Sequence, residues 1–194
     1  MKKESREFQL QKIAEEIEAC AQCREGKLGR AVAGEGSAFA EVVFVGEAPG
    51  KEEAKVGRPF IGRSGKFFRL MIQEIGLEEK EVFITSPVKY LPRRGTPNKA
   101  DIVHGRGHLF RQLAVVAPKI IVLMGKVACW AVLDREVSVS QEHGEIIKDG
   151  VKAYLITFHP AAAMRFPKIR KEFADDFKKL KWLLTKKKKS NKKT

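Results

Sequence analysis

Cysteine is scarce and odd in number. Only Cys20, Cys23 and Cys129 occur in 194 residues, which excludes a disulfide framework as the basis of the fold. Long apolar runs are missing as well. None reaches the roughly 18 residues of a bilayer-spanning helix, so no membrane partner is expected. The opening MKKESREFQL is basic but has no apolar stretch of the secretory kind, and the expectation is a cytoplasmic protein. No GxGxxG and no Walker lysine pattern supports an ordinary nucleotide-binding reading, and no internal repeat is found. Acidic residues are in deficit: 24 Asp and Glu face 38 Lys and Arg, a formal charge of +14. Six of those lysines crowd into the last ten residues, TKKKKSNKKT, yet +8 remains without them. The basicity therefore belongs to the whole chain, and it points to a polyanion such as nucleic acid.

What is present suits one domain with a full core: hydrophobic residues make up 43% of the chain. Four short β-branched runs read as buried strands: EVVFVGE, EVFITSPVKY, PKIIVLMG and VKAYLITFHP. Amphipathic segments read as helices, among them FQLQKIAEEIEAC, GKFFRLMIQEIGL, KVACWAVL and KIRKEFADDFKKLKWLL. DIVHGRGHLFRQLAVVA reads as helical in its second half, after Gly105 and Gly107. Strands alternating with helices predict an α/β fold, a parallel sheet covered on both faces. In such sheets ligands bind beyond the carboxyl ends of the strands. The segments there are GEAPG, TSPVKY, MGK and FHPAAAMR.

The stretch VVFVGEAPGKEEAKVGRPFIGRSGKFFRLM places a carboxylate, tight-turn residues and an isolated Pro59-Phe60 directly after a buried strand. A mere turn needs less, and a pocket is expected. The CxxC with LGRAVAGEG, then GEAPGKEEAKVGRPFIGRSGKFF, VFITSPVKYLPRRGTP, APKIIVLMGKVA and FHPAAAMR resemble, in order and spacing, the uracil-DNA glycosylase superfamily, most closely its family 4. The resemblance spans about residues 16 to 170.

It implies a three-layer α/β/α sandwich around a four-stranded parallel sheet, placed in residues 1–184, while the composition of residues 185–194, six lysines and no apolar residue, predicts a disordered lysine-rich tail. It also implies a monofunctional hydrolase of base-excision repair that flips uracil, or a related deaminated base, out of DNA and breaks its N-glycosidic bond. The chain is expected to act as a monomer. Phe60 would stack on the flipped base, and Gly46 would let the backbone come close to it. His159 would donate to the base oxygen, and Glu47 would place the attacking water or stabilise the sugar cation, with Glu53 the competing carboxylate. Met164 would wedge into the duplex beside Arg165, while Arg63, Ser64 and Lys66 would meet phosphates.

Two departures stand out. Ser86 occupies the place of the family's base-reading Asn, which opens the alternatives of another deaminated base, hypoxanthine or xanthine, or of a lesion-binding protein without turnover. The family's 4Fe-4S cluster, not needed for the chemistry, takes four cysteines, but here only Cys20 and Cys23 match. Tyr90 stands at the third place and the fourth falls near Gly105. No regular four-cysteine cluster is expected. An altered site of Cys20, Cys23 and a histidine, His104 or His108, stays open, and Cys129 reads as core.

Overall fold

The computed structural model describes residues 4–190, with side chains through Lys186. The helices are α1 (Arg6–Ala19), α2 (Ala21–Arg24), α3 (Lys51–Val56), α4 (Arg63–Glu74), α5 (Lys99–Val116), α6 (Lys126–Leu133), α7 (Val139–Glu142), α8 (Pro160–Arg165) and α9 (Pro167–Ser190). The strands are β1 (Lys27–Leu28), β2 (Glu35–Gly36), β3 (Val42–Val45), β4 (Val82–Thr85), β5 (Leu91–Pro92), β6 (Ile120–Met124), β7 (Ile146–Asp149) and β8 (Lys152–Thr157).

The main sheet has the order β2-β4-β3-β6-β8-β7. Its four central strands are parallel, and they are the four β-branched runs of the sequence. The sheet is nevertheless six-stranded, because β2 and β7 add antiparallel edges. β7 joins β8 through an Asp149-Gly150 turn, with Gly150 at φ 54°. β1 and β5 form a separate antiparallel ribbon.

The chain steps one way from β3 to β4 and the other way from β4 through α5 to β6. Right-handed crossovers then place α4 on one face and α5 and α6 on the other. On the α4 face Phe44, Phe68, Phe173 and Phe177 are fully buried. Phe68 meets Phe44 edge-on at 5.0 Å. Such pairs add about 0.5–1.5 kcal/mol to their apolar burial. The reversal of strand order at β3 leaves a crevice at its carboxyl end.

Two helices are longer than the sequence suggests. α5 is helical from Lys99, because Asn98 and Asp101 form a reciprocal capping box ahead of the glycines. Gly105 is required inside it, since a Cβ there would stand 1.9 Å from the Pro87 carbonyl oxygen. α9 continues to Ser190 and takes in residues 185–190 of the stretch expected to be a disordered tail; residues 191–194 lie outside the described residues.

Candidate active site

A cleft of ≈ 560 Å³ opens at the carboxyl ends of β3, β4 and β8. Glu47, Phe60, Ser64, Ser86 and His159 line it, together with Leu91 of β5 and with Val32, Pro49 and Gly95 from the surrounding loops. The volume leaves ample room for a flipped base with its sugar, and a few polar groups on an apolar wall suit recognition of a base edge.

Phe60 sits in the left-handed backbone region, with φ 51°, a conformation that costs a bulky residue about 1–3 kcal/mol and must be held by its surroundings. Arg69 holds it: Nε donates to the Phe60 carbonyl at 3.0 Å and Nη2 to the Pro59 carbonyl at 2.8 Å. Glu35 and Glu79 in turn pair with the Arg69 guanidinium. From the other side, Glu53 Oε1 accepts from the backbone N–H groups of Ile61 at 2.9 Å and Gly62 at 2.8 Å. Glu53, which also borders the cleft, is buried and fastens the loop to the start of α4 through Oε1. The ring of Phe60 packs 4.9 Å from that of Phe68 and 6.0 Å from that of His159.

Two glycines make room for this residue. A Cβ on Gly46 would stand 2.6 Å from the Phe60 ring, and one on Gly65 would stand 2.0 Å from the Phe60 carbonyl carbon. Gly46 is buried beneath that ring and is absent from the cleft wall. Its small size makes room for the Phe60 ring.

His159 caps α8 from the end of β8. Its Nδ1 accepts from the Ala161 N–H at 3.2 Å, which leaves the proton of the neutral ring on Nε2. Burial lowers its pKa to about 4, against the opposing pull of the Glu53 charge. The ring is therefore neutral at ordinary pH and carries one N–H donor. Glu47, partly buried, takes no hydrogen bond or ion pair among the described residues, and burial alone raises its pKa. The Ser86 hydroxyl donates to the Val88 carbonyl at 2.8 Å. With its hydrogen engaged, that oxygen faces the cleft only as an acceptor.

Arg63 and Lys66 are exposed on the first turn of α4, and Met164 and Arg165 are exposed on α8. None of the four lines the cleft; they stand outside it on the elements that bear Ser64 and His159. Sequence reasoning passes over Phe166, which is 47% exposed and carries the Arg165 guanidinium 5.3 Å from its ring centroid. An aromatic two residues past the candidate wedge is the signal for it. Arg69 is passed over too, since its partners are backbone carbonyls that no motif displays.

Away from the cleft, Cys20, Cys23, His104 and His108 bring one ligand atom each to within 4.8 Å of one another. Tyr90 is buried, and its hydroxyl donates to the Glu18 carbonyl at 3.2 Å. Gly105 packs on Pro87 and has no space for a ligand side chain, so its flanking histidines replace it as the groups that α5 brings to the cysteines. Cys129 lies in the core, its thiol pushed up to about 12 by burial.

Comparison with known proteins agrees with this geometry. The sequence model of the uracil DNA glycosylase superfamily matches residues 33–181. A type-4 uracil-DNA glycosylase of Sulfurisphaera tokodaii is 39% identical over 188 residues, covering 90% of this chain and 84% of the relative. Its counterpart from Archaeoglobus fulgidus is 36% identical over 181 residues, 88% of this chain and 91% of the relative. That of Thermotoga maritima is 32% identical over 189 residues, 94% and 98%. With the cleft at the strand ends and these matches over most of its length, the chain belongs to the uracil-DNA glycosylase superfamily.

Proposed function

We propose that this protein is a monofunctional uracil-DNA glycosylase, which hydrolyses the bond between C1′ of deoxyuridine and N1 of uracil in DNA. The observation that carries the reading is the convergence of Glu47, Phe60, Ser86 and His159 on one cleft in a member of this superfamily.

The flipped base stacks on Phe60, whose ring is already held in place by Arg69 and Glu53 through the loop backbone. As the C1′–N1 bond breaks, its electron pair moves onto the base. The negative charge spreads over N1 and the flanking carbonyl oxygen. The Nε2–H of neutral His159 donates to that oxygen as charge develops, and a fixed donor of this kind contributes most at the transition state. The sugar left behind is positive at C1′. The Glu47 carboxylate stabilises it and orients a water, whose oxygen bonds to C1′. The water's proton leaves to the carboxylate and then to solvent or the base anion. No lysine nucleophile enters, so the strand stays intact and the product is an abasic site. Exposed Arg63, Lys66 and Arg165 take phosphates, and Met164 fills the gap left in the stack. The overall charge of +14 supports the same polyanion.

A second reading concerns breadth of substrate. Ser86 Oγ presents an acceptor to the cleft. Uracil offers an N3–H there, and hypoxanthine and xanthine offer an N1–H at their corresponding edge. An acceptor-only serine discriminates less among these than an amide with both donors and an acceptor. The test is incubation with oligonucleotides bearing uracil, hypoxanthine or xanthine, followed by assay for abasic sites. Cleavage at uracil is expected, with measurable activity on the purines. Retention of all three bases would overturn the enzymatic reading, and tight binding without release would favour a lesion-binding protein.

A further inference from the structure

The sulfur and imidazole groups on α2 and α5 form a ligand set for which the superfamily's four-cysteine cluster offers no use. Cys20 and Cys23 bracket the single turn of α2, and the Cys23 N–H donates to Cys20 Sγ at 3.3 Å. His104 and His108 stand four residues apart on α5, hence on one face of that helix. Cys20 Sγ lies 3.2 Å from His104 Nε2 although 84 residues separate them. The imidazole rings are 5.8 Å apart and nearly perpendicular. His108 Nδ1 is buried and has no hydrogen-bond partner among the described residues.

We propose that Cys20, Cys23, His104 and His108 form a closed, four-coordinate zinc site that fastens the N-terminal helices to α5.

The geometry separates this from iron–sulfur chemistry. A 4Fe-4S cluster takes four thiolates, one on each iron, and its ligands stand apart around the cube. Here only two thiols are present and all four ligand atoms crowd within 4.8 Å of one another. A two-iron centre with two cysteines and two histidines divides them, sulfur on one iron and nitrogen on the other. That division is incompatible with a cysteine sulfur 3.2 Å from a histidine nitrogen. One ion shared by all four groups fits. With zinc–sulfur distances of about 2.3 Å and zinc–nitrogen distances of about 2.0–2.1 Å, tetrahedral ligands stand roughly 3.3–3.8 Å from one another.

Charge points the same way. Binding removes one proton from each thiol, and the two thiolates balance the two positive charges of the ion. Neutral imidazoles complete a centre with no net charge, which a partly buried place tolerates. Four protein ligands leave no open position, so the site is structural. Its place gives it a task. α2 leads into β1, which pairs with β5, and Leu91 of β5 and Val32 just beyond β1 line the cleft. Tyr90, buried against the end of α1, fills the region where the family would place a thiolate.

The test is metal analysis of the full-length protein as purified, together with the absorption spectrum of protein produced in cobalt-supplemented medium. About one zinc per chain and a colourless preparation are expected. The cobalt form should show the intense visible bands of a tetrahedral ion and a thiolate charge-transfer band in the near ultraviolet. Cys23→Ser and His108→Asn should each lower metal content and weaken or shift those bands. Chelator should lower the Tm of the wild type and leave that of the variants nearly unchanged. If a variant does not fold, the wild-type cobalt spectrum decides alone. A brown protein with about four irons and acid-labile sulfide would overturn the proposal. So would protein that takes up neither zinc nor cobalt, a weak octahedral cobalt spectrum, or folded variants with the wild-type spectrum.

Discussion

Four side chains in the cleft divide the work, and each can be tested alone. Removing the Nε2–H donor with His159→Ala should slow single-turnover excision by about 10²-fold, the usual loss for one donor at a developing oxyanion. The two ionisable residues shape the pH profile differently. His159, with a pKa near 4, stays neutral well below pH 6.5, so it should not cause a loss of activity between pH 7 and pH 5. Glu47 is held above the ordinary carboxylate value by burial, and activity should fall as pH drops through its raised pKa. Glu47→Gln should be slow at every pH and lack this acid limb, while His159→Ala should keep it; the reverse pattern would exchange the roles. Stability follows linkage. Between about pH 6.5 and 4 the unfolded chain protonates His159 while the folded chain does not, so this residue costs stability as pH falls through that window. Glu47 has the opposite sign, since the folded state takes up its proton first. At Ser86, substitution by Asn should raise uracil excision relative to hypoxanthine, because the amide adds the donors that the engaged hydroxyl lacks. Competing-substrate kinetics would show it, and a fall in the uracil preference would mean that the 86–88 turn does not read the base.

Among the elements, the loop from α3 to α4 matters most, because it holds Phe60 in a strained conformation from both ends. Glu53→Ala strands the N–H groups of Ile61 and Gly62. The expected cost is about 1–3 kcal/mol in urea unfolding, with slower excision as the Phe60 loop loses its hold. Unchanged stability would show that the loop is held by Arg69 alone. Legibility in the sequence follows from what each element buries. The central strands are legible because VVFV, VFIT, IIVLM and the end of KAYLIT are buried runs. β2 is illegible, being a Glu-Gly pair held by backbone bonds to β4. β7 is half exposed, and only its Asp-Gly turn announces it. The start of α5 is masked by two glycines, one of which exists to let Pro87 approach. Glu47, Phe60, Ser86 and His159 are readable because strand ends in an α/β sheet point at a ligand. Arg69 and the loop-holding bonds of Glu53, itself visible only as a competing carboxylate, are not, because they act on backbone atoms. The cysteine pair is visible as CxxC and one of His104 and His108 is a candidate beside it, but only the fold shows that α5 brings both histidines to the pair.

For the whole molecule, the question is how a basic protein separates holding DNA from reading it. The cleft lies at the carboxyl ends of the strands, and α9 runs back from α8 for 24 residues, about 36 Å of helix. Leu184, near its end, borders Glu41 and Val42 at the opposite end of β3. The last turns of α9, to Ser190, therefore stand far from the chemistry. Deleting residues 185–194 should weaken binding to long DNA irrespective of sequence, and flatten the slope of log affinity against log salt by about 0.9 per lost phosphate contact. A duplex too short to reach past the cleft should show no change. Single-turnover excision at saturating enzyme should be unaffected, and equal salt slopes on long DNA would confine binding to the folded domain. The central claim, that this cleft excises uracil, is met most directly by the single-turnover rate of uracil release from a labelled oligonucleotide, wild type against His159→Ala at saturating enzyme. The wild type is expected to release uracil and leave an abasic product, slowed about 10²-fold in the variant with DNA binding retained. No release by the wild type, or equal rates in the two proteins, would contradict it.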